Sequence, residues 1–154
     1  LKVDDENLEI IKSESDLEKL VNKNIEYYAK LMEDKNLKVE VNIEPIIIFN
    51  DISMLSYAIK NIIENAFFYA DDNSTIYVEL NSSYFEIRNQ NIDLDDDKID
   101  ELFKPFKTID KSRNKKISGT GLGLYIISRS IHSLGFDYYM KKHDDMVEFR
   151  VFIK

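Results

Sequence analysis

Residues 51–70 read DISMLSYAIKNIIENAFFYA, and the spacing of their apolar side chains predicts one long helix. Ile52, Leu55, Ile59, Ile62 and Ala66 fall three and four apart, which lays them on a single core-facing stripe. Asn61, Asn65 and Tyr69 are spaced four apart and form a second stripe, about one residue-step around from the first. Carboxamides in a helix interior cost stability. An Asn carbonyl oxygen, however, can ligate Mg²⁺ without adding negative charge beside a triphosphate. Tyr69, one turn on, can lay its ring against a base. A solvated polar face is the plainer reading of any lone Asn pair, and the stripe by itself does not decide between them.

Outward from this helix, helical and strand periodicities interleave. Leu8–Lys12 predicts a short strand. Ser13 or Ser15 can then cap a helix through about Asp34, with Leu17, Leu20, Val21, Ile25, Tyr28 and Leu31 on one face. Leu37–Ile43 alternates as a half-buried strand and Ile46–Phe49 reads as another. Beyond Ala70, Thr75–Leu80 and Tyr84–Asn89 form a hairpin around Asn81, Ser82 and Ser83. Leu94–Phe103 predicts a short acidic helix and Lys107–Ser118 a loop. A helix follows Gly121, with Leu124, Ile127, Ile131 and Leu134 inward and Gly135 as its stop. Phe136–Lys141 and Met146–Ile153 close the chain as a second hairpin. Helices interspersed with antiparallel hairpins predict an α+β, two-layer α/β sandwich: one sheet with helices on one face.

The 154 residues fit one domain, and 44% hydrophobic content suffices for one core. A net charge of −8 repels polyanions, which argues against nucleic acid or an anionic bilayer as partner. With no cysteine, disulfides and thiolate metal sites are excluded. No apolar run approaches the roughly 20 residues of a membrane span, and the opening LKVDDENLEI is no signal peptide. A soluble fragment without direct membrane contact is expected.

Three of the four glycines fall at alternate positions in Gly119-Thr120-Gly121-Leu122-Gly123-Leu124, opening a helix. Glycine lets the backbone approach a ligand closely, and free N–H groups at a helix start favour phosphate. A Walker A loop is excluded, because no Lys followed by Ser or Thr comes after the final glycine. Nor do a preceding strand and a later acid support a dinucleotide fold. A flexible turn with a helix cap would also use glycines here. The preceding loop carries Lys107, Lys111, Arg113, Lys115 and Lys116 against Asp110, a local charge of +4 on an acidic chain. It reads either as a lid over phosphates or as a solvated charged loop.

Taken together, these elements resemble the catalytic domain of the gyrase, Hsp90, histidine kinase and MutL superfamily, over about residues 8–153. NIIENA resembles the N box, Phe103-Lys104-Pro105-Phe106 the F box and GTGLGL the second glycine box, while Asp110-Lys111-Ser112-Arg113 is similar to the start of the lid. The resemblance implies a Bergerat-type fold with a mixed, mostly antiparallel sheet, forming a single domain over residues 1–154. It implies that ATP and Mg²⁺ are bound, with Asn65 ligating the metal and Asn61 supporting the phosphate end. Tyr69 and Asn89 would meet the adenine. Gly119, Thr120, Gly121 and Gly123 would flank the phosphates, Leu122 and Leu124 fix the helix, and Lys107, Arg113, Lys115 and Lys116 supply lid charge. Phe103 and Phe106 would anchor the lid hinge, as ordinary core packing would also require. Glu64 faces away from the Asn stripe and reads as a solvated helix residue.

In ATPase relatives, and in serine kinases that bind sigma factors, the position of Asn61 resembles a Glu that acts as base. An amide cannot take a proton, so transfer to a nucleophile on another domain is favoured over hydrolysis. Neither His132 nor His143 sits before the acid and Leu that usually follow a phospho-acceptor. The acceptor is therefore expected outside this chain, on a dimerisation hairpin, with a response regulator downstream. The implied setting is the cytoplasmic side of a membrane-anchored parent. Three positions depart from the family pattern. Asn89-Gln90-Asn91-Ile92-Asp93 lacks the first glycine box's glycines and its Asp, Phe68 replaces a base, and Thr108 replaces an Arg. These losses motivate an alternative: a nucleotide-binding regulatory module, a pseudokinase without phosphotransfer.

Overall fold

A computed structural model of the chain describes residues 9–104 and 123–153. Strand β1 (Ser13–Asp16) pairs antiparallel with β3 (Ile47–Asn50) as a two-stranded ribbon. The main sheet has five strands: β2 (Lys38–Ile43), β4 (Thr75–Leu80), β5 (Tyr84–Gln90), β7 (Met146–Phe152) and β6 (Asp137–His143), in that spatial order. Only β2 and β4 run parallel; the other neighbours are antiparallel. The expected mixed, mostly antiparallel sheet is therefore present, and the segment 46–49, expected as a strand, lies in the separate ribbon.

Helices α1 (Leu17–Tyr27), α2 (Ala29–Lys35), α3 (Ile52–Tyr69) and α5 (Gly123–Leu134) complete the fold with the short α4 (Ile99–Leu102). Asp51 caps α3, its carboxylate accepting from the Met54 amide at 2.9 Å. Along β5, Phe85 and Ile87 are buried, and they alternate with residues of the opposite face. α3 and α5 pack together on that buried face, around Ile63, Phe67, Ile76, Ile87, Ile127 and Ile131, all at most 1% exposed. Burying a side chain the size of Phe67 contributes about 2–3 kcal/mol. Gly135 ends α5 at φ +81°, a left-handed conformation that glycine adopts without steric cost.

The N-terminal segment differs from its sequence reading in three ways. Residues 9–12 form no strand; pairing begins at Ser13, where Asn50 lies opposite. The cap of α1 is Asp16, which accepts from the Lys19 amide at 3.1 Å, rather than Ser13 or Ser15. Ser15 is buried in the ribbon and donates to the Ser13 and Asn50 carbonyls instead. The helix also breaks at Tyr28 (φ −96°, ψ 16°). There Asn24 turns its amide onto the Leu20 carbonyl at 2.8 Å, and the Tyr28 side chain is held by α3. In α3 itself Ile52 is 39% exposed, since it lies at the helix start beside the ribbon, beyond the cover of the core. The expected acidic helix 94–103 shrinks to a 3₁₀ turn, Asp96–Lys98, leading into α4.

Candidate functional site

The Asn stripe and the glycine-started helix meet. A Cβ placed on Gly123 would stand 3.8 Å from Oδ1 of Asn65, so the last turns of α3 border the first turn of α5. The leading N–H groups of a helix lack partners within it. The neutral carbonyl oxygen of Asn65 therefore lies beside the opening turn of α5. Asn61, a turn earlier, is half-buried and donates from Nδ2 to the Tyr57 carbonyl at 2.7 Å, which fixes its side chain on the helix.

Tyr69 is the last residue of α3 and half-buried, and burial pushes its phenol above the usual tyrosine range. The ring thus stays neutral through physiological pH. Asn89, only 6% exposed, lies on β5 opposite Val147, on the same sheet face as Phe85 and Ile87. Its amide nitrogen donates to the Gln90 carbonyl at 3.3 Å. α3 packs against β5, the strand that carries Asn89. Leu124 is buried, as expected of a residue fixing α5 to the core.

Lys107, Arg113, Lys115, Lys116, Gly119, Thr120, Gly121 and Leu122, with Phe106 and Thr108, lie outside the described residues. Phe103 is half-buried, its ring 5.4 Å from Tyr138 and 6.2 Å from Phe149. His132 is an exposed residue of α5 and His143 ends β6 before the turn at Asp144.

Glu64 is not a solvated residue. It is half-buried and accepts from the Tyr28 hydroxyl at 2.8 Å. Burial first and then this carboxylate raise the Tyr28 phenol far above its ordinary range. Phe68, standing where the family often has a base, is accounted for by the same neighbour: its ring lies 6.5 Å edge-on to that of Tyr28.

Sequence reasoning missed Lys35. Its ammonium donates to the Phe67 carbonyl at 2.8 Å and the Phe68 carbonyl at 2.7 Å, serving the end of α3, whose last turn holds no base of its own. Burial lowers its pKa, partly offset by Asp72 and Asp71. Asp71 was missed as well: Oδ2 accepts from the Ile92 amide at 3.0 Å and from Gln90 at 3.2 Å, tying the end of α3 to the loop after β5. Contacts across such sequence separations leave no periodic signal.

Among the described residues, no group of three or more His, Cys, Asp or Glu is placed to hold a metal, and no helix is long and apolar enough to cross a membrane. A Mg²⁺ bound through Asn65 would take its other ligands from phosphate oxygens and water. A single neutral oxygen beside a helix start fits that mode.

Residues 50–154 match the model of the histidine kinase-, DNA gyrase B-, and HSP90-like ATPase family. Sensor protein VanSC of Enterococcus gallinarum is 30% identical over 128 residues, which is 80% of this chain and 36% of that protein. Sensor protein kinase WalK of Staphylococcus saprophyticus is 30% identical over 131 residues, 81% of this chain and 22% of that protein. The chain thus spans about a third or less of the length of these relatives. The Acinetobacter baumannii histidine kinase AdeS has a similar structure, with TM-score 0.77 and 20% identity over 99% of this chain and 71% of that one. The catalytic domain of histidine kinase ThkA superposes with TM-score 0.75 at 20% identity, over 93% of this chain and 95% of that one.

Proposed function

The chain belongs to the histidine kinase-, DNA gyrase B-, and HSP90-like ATPase family, and from that membership we propose that it is the ATP-binding catalytic domain of a two-component sensor histidine kinase. It binds Mg-ATP between the end of α3 and the start of α5. It then presents the γ-phosphoryl group to a histidine on a separate dimerisation hairpin, from which the phosphate passes to a response regulator. The parent holds this domain at the cytoplasmic face of a membrane.

The observation that carries this reading is the nearness of the Asn65 side chain to the first turn of α5, where a Cβ on Gly123 would lie 3.8 Å from its Oδ1. Phosphoryl transfer asks a protein mainly for positioning and charge neutralisation. Asn65 would hold the Mg²⁺, which neutralises charge on the phosphates, while Asn61 and the α5 amides orient them. Tyr69 and Asn89 would hold the base, the Asn89 carbonyl oxygen accepting from an exocyclic amine. Asn61 already gives its amide to Tyr57 and has no basic group to deprotonate water. The phosphoryl group is thereby kept for an incoming imidazole.

The test has two stages. A fluorescent ATP analogue is titrated into the domain with and without Mg²⁺; then ATP and the parent's histidine-bearing hairpin are added in trans. Mg²⁺-dependent binding followed by hairpin phosphorylation is the expected result. Binding without transfer would instead establish the nucleotide-binding regulatory module. Absence of binding would overturn both.

A further inference from the structure

The loop after β5, where the family pattern has glycines, is held from three sides. Its residues are Asn91, Ile92, Asp93 and Leu94, and the positive-φ non-glycine residues among those described are Asn36, Asn73 and Asp144, none of them in this loop. The loop thus follows an ordinary backbone path that needs no glycine. Lys142 of β6 donates its ammonium to the Ile92 carbonyl at 2.9 Å and to the Leu94 carbonyl at 2.6 Å. From the opposite side Asp71 takes the Ile92 amide at 3.0 Å. The Asn91 amide donates to the Asp145 carbonyl at 2.8 Å, and the Asn91 side chain accepts from the Leu94 amide at 3.2 Å. Leu94 itself is 3% exposed, a plug in the core. Lys142 is anchored in turn, its own amide donating to Asp96 at 3.0 Å.

We infer that Lys142 and Asp71 are positioning residues for the nucleotide: they clamp the loop that begins two residues after Asn89, so that the base side of the site is formed before ligand arrives. This inference rests on the proposed nucleotide site. The loop follows Gln90, the neighbour of Asn89, and Asp71, two residues beyond Tyr69, bonds both Gln90 and Ile92, so the clamp bears on the segments that carry both residues expected at the base. Two carbonyls converging on one ammonium form charge-assisted bonds, stronger than neutral ones. A ligand that meets a preformed wall loses less to ordering, and an unclamped loop weakens apparent affinity by the fraction of time it is competent. The reacting end of the nucleotide, at Asn61 and Asn65, lies on another part of α3 and is not touched by the clamp.

The test compares the full chain with Lys142→Met, Lys142→Arg and Asp71→Asn. Lys142→Met and Asp71→Asn should each weaken binding of the Mg-ATP analogue about five- to tenfold. In the two-part phosphotransfer assay KM should rise by the same factor while kcat stays within about twofold. Lys142→Arg, which keeps a cationic donor, should recover most of the affinity. Hydrogen exchange without nucleotide should show the Ile92 and Leu94 amides protected in the wild type and faster in Lys142→Met. Wild-type affinity in both Lys142→Met and Asp71→Asn would overturn the clamp, as would a fall in kcat as large as the rise in KM accompanied by a fall in Tm. Failure of the wild type to bind the analogue would overturn the site assignment itself. In that case exchange at Ile92 and Leu94 still reports whether the loop is held, separating the two failures.

Discussion

Oδ1 of Asn65 lies 3.8 Å from the point where a Cβ on Gly123 would stand, an ordinary van der Waals separation. Among the described residues, that separation would not bar a side chain at position 123, and the nucleotide reading places the phosphates and their metal beside it.

Gly123→Ala tests that separation of roles. Alanine is the better helix former, by up to about 1 kcal/mol, so the variant should melt at or above the wild-type temperature. Its methyl intrudes on the ligand's space, so Mg-ATP affinity should fall at least about tenfold, read by calorimetric titration. A lowered Tm with intact affinity would show the glycine to be structural.

Tyr28→Phe removes the hydroxyl that Glu64 accepts at 2.8 Å. A half-buried carboxylate then loses a partner, at a cost of about 1–2 kcal/mol. Chemical denaturation of this variant should show that loss, whereas Glu64→Gln, which keeps an acceptor, should lose less. Equal stability of Tyr28→Phe and wild type would show that the bond contributes nothing.

Asp51 predicts a pH dependence. Burial acts to raise its pKa, but the amides of Met54, Ile11 and Ser53 outweigh it and hold the carboxylate below its usual range. A depressed folded pKa means stability that is present above the unfolded value of about 3.9 and lost as pH falls through the folded value. Asp51→Ala should cost about 1–2 kcal/mol near neutrality. The gap to wild type should narrow below about pH 4 in urea titrations at successive pH values.

Glu86 sits on the sheet's other face, 3% exposed, and receives Nε and Nη2 of Arg150 at 2.9 and 2.7 Å. Arg150 also lies over the Tyr84 ring at 3.9 Å. Arg150→Met leaves a buried carboxylate whose remaining ion-pair partner among the described residues is Arg88, at 3.5 Å. The expected loss is about 3 kcal/mol, measured by urea unfolding, with relief on adding Glu86→Gln. A double variant no more stable than Arg150→Met would contradict the pairing.

What could be read in the sequence was local and periodic. α3 and the Asn61–Asn65–Tyr69 stripe followed from spacing within one helix, and Gly135 marked the end of α5 correctly. The break at Tyr28 was hidden, because the apolar stripe runs through it while the Tyr28 side chain is held by Glu64 on another helix. The ribbon was missed for a related reason: Ser13–Asp16 has no strand-like alternation and pairs because Ile47–Asn50 passes beside it. Lys35, Asp71 and Lys142 act on backbone groups of distant segments, and a charged residue on an exposed-looking position carries no mark of that. The missing glycines at Asn91 and Asp93 were legible as a departure; the clamp that accompanies them was not.

The central claim is that Asn65 holds the metal of a bound nucleotide against the start of α5. It is tested most directly by titrating ATP with and without Mg²⁺ into wild type and Asn65→Ala. Wild-type affinity should depend on Mg²⁺, and Asn65→Ala should lose at least about tenfold and most of that dependence, the scale of a disrupted metal site. Equal, equally Mg²⁺-sensitive binding by both proteins would contradict the assignment.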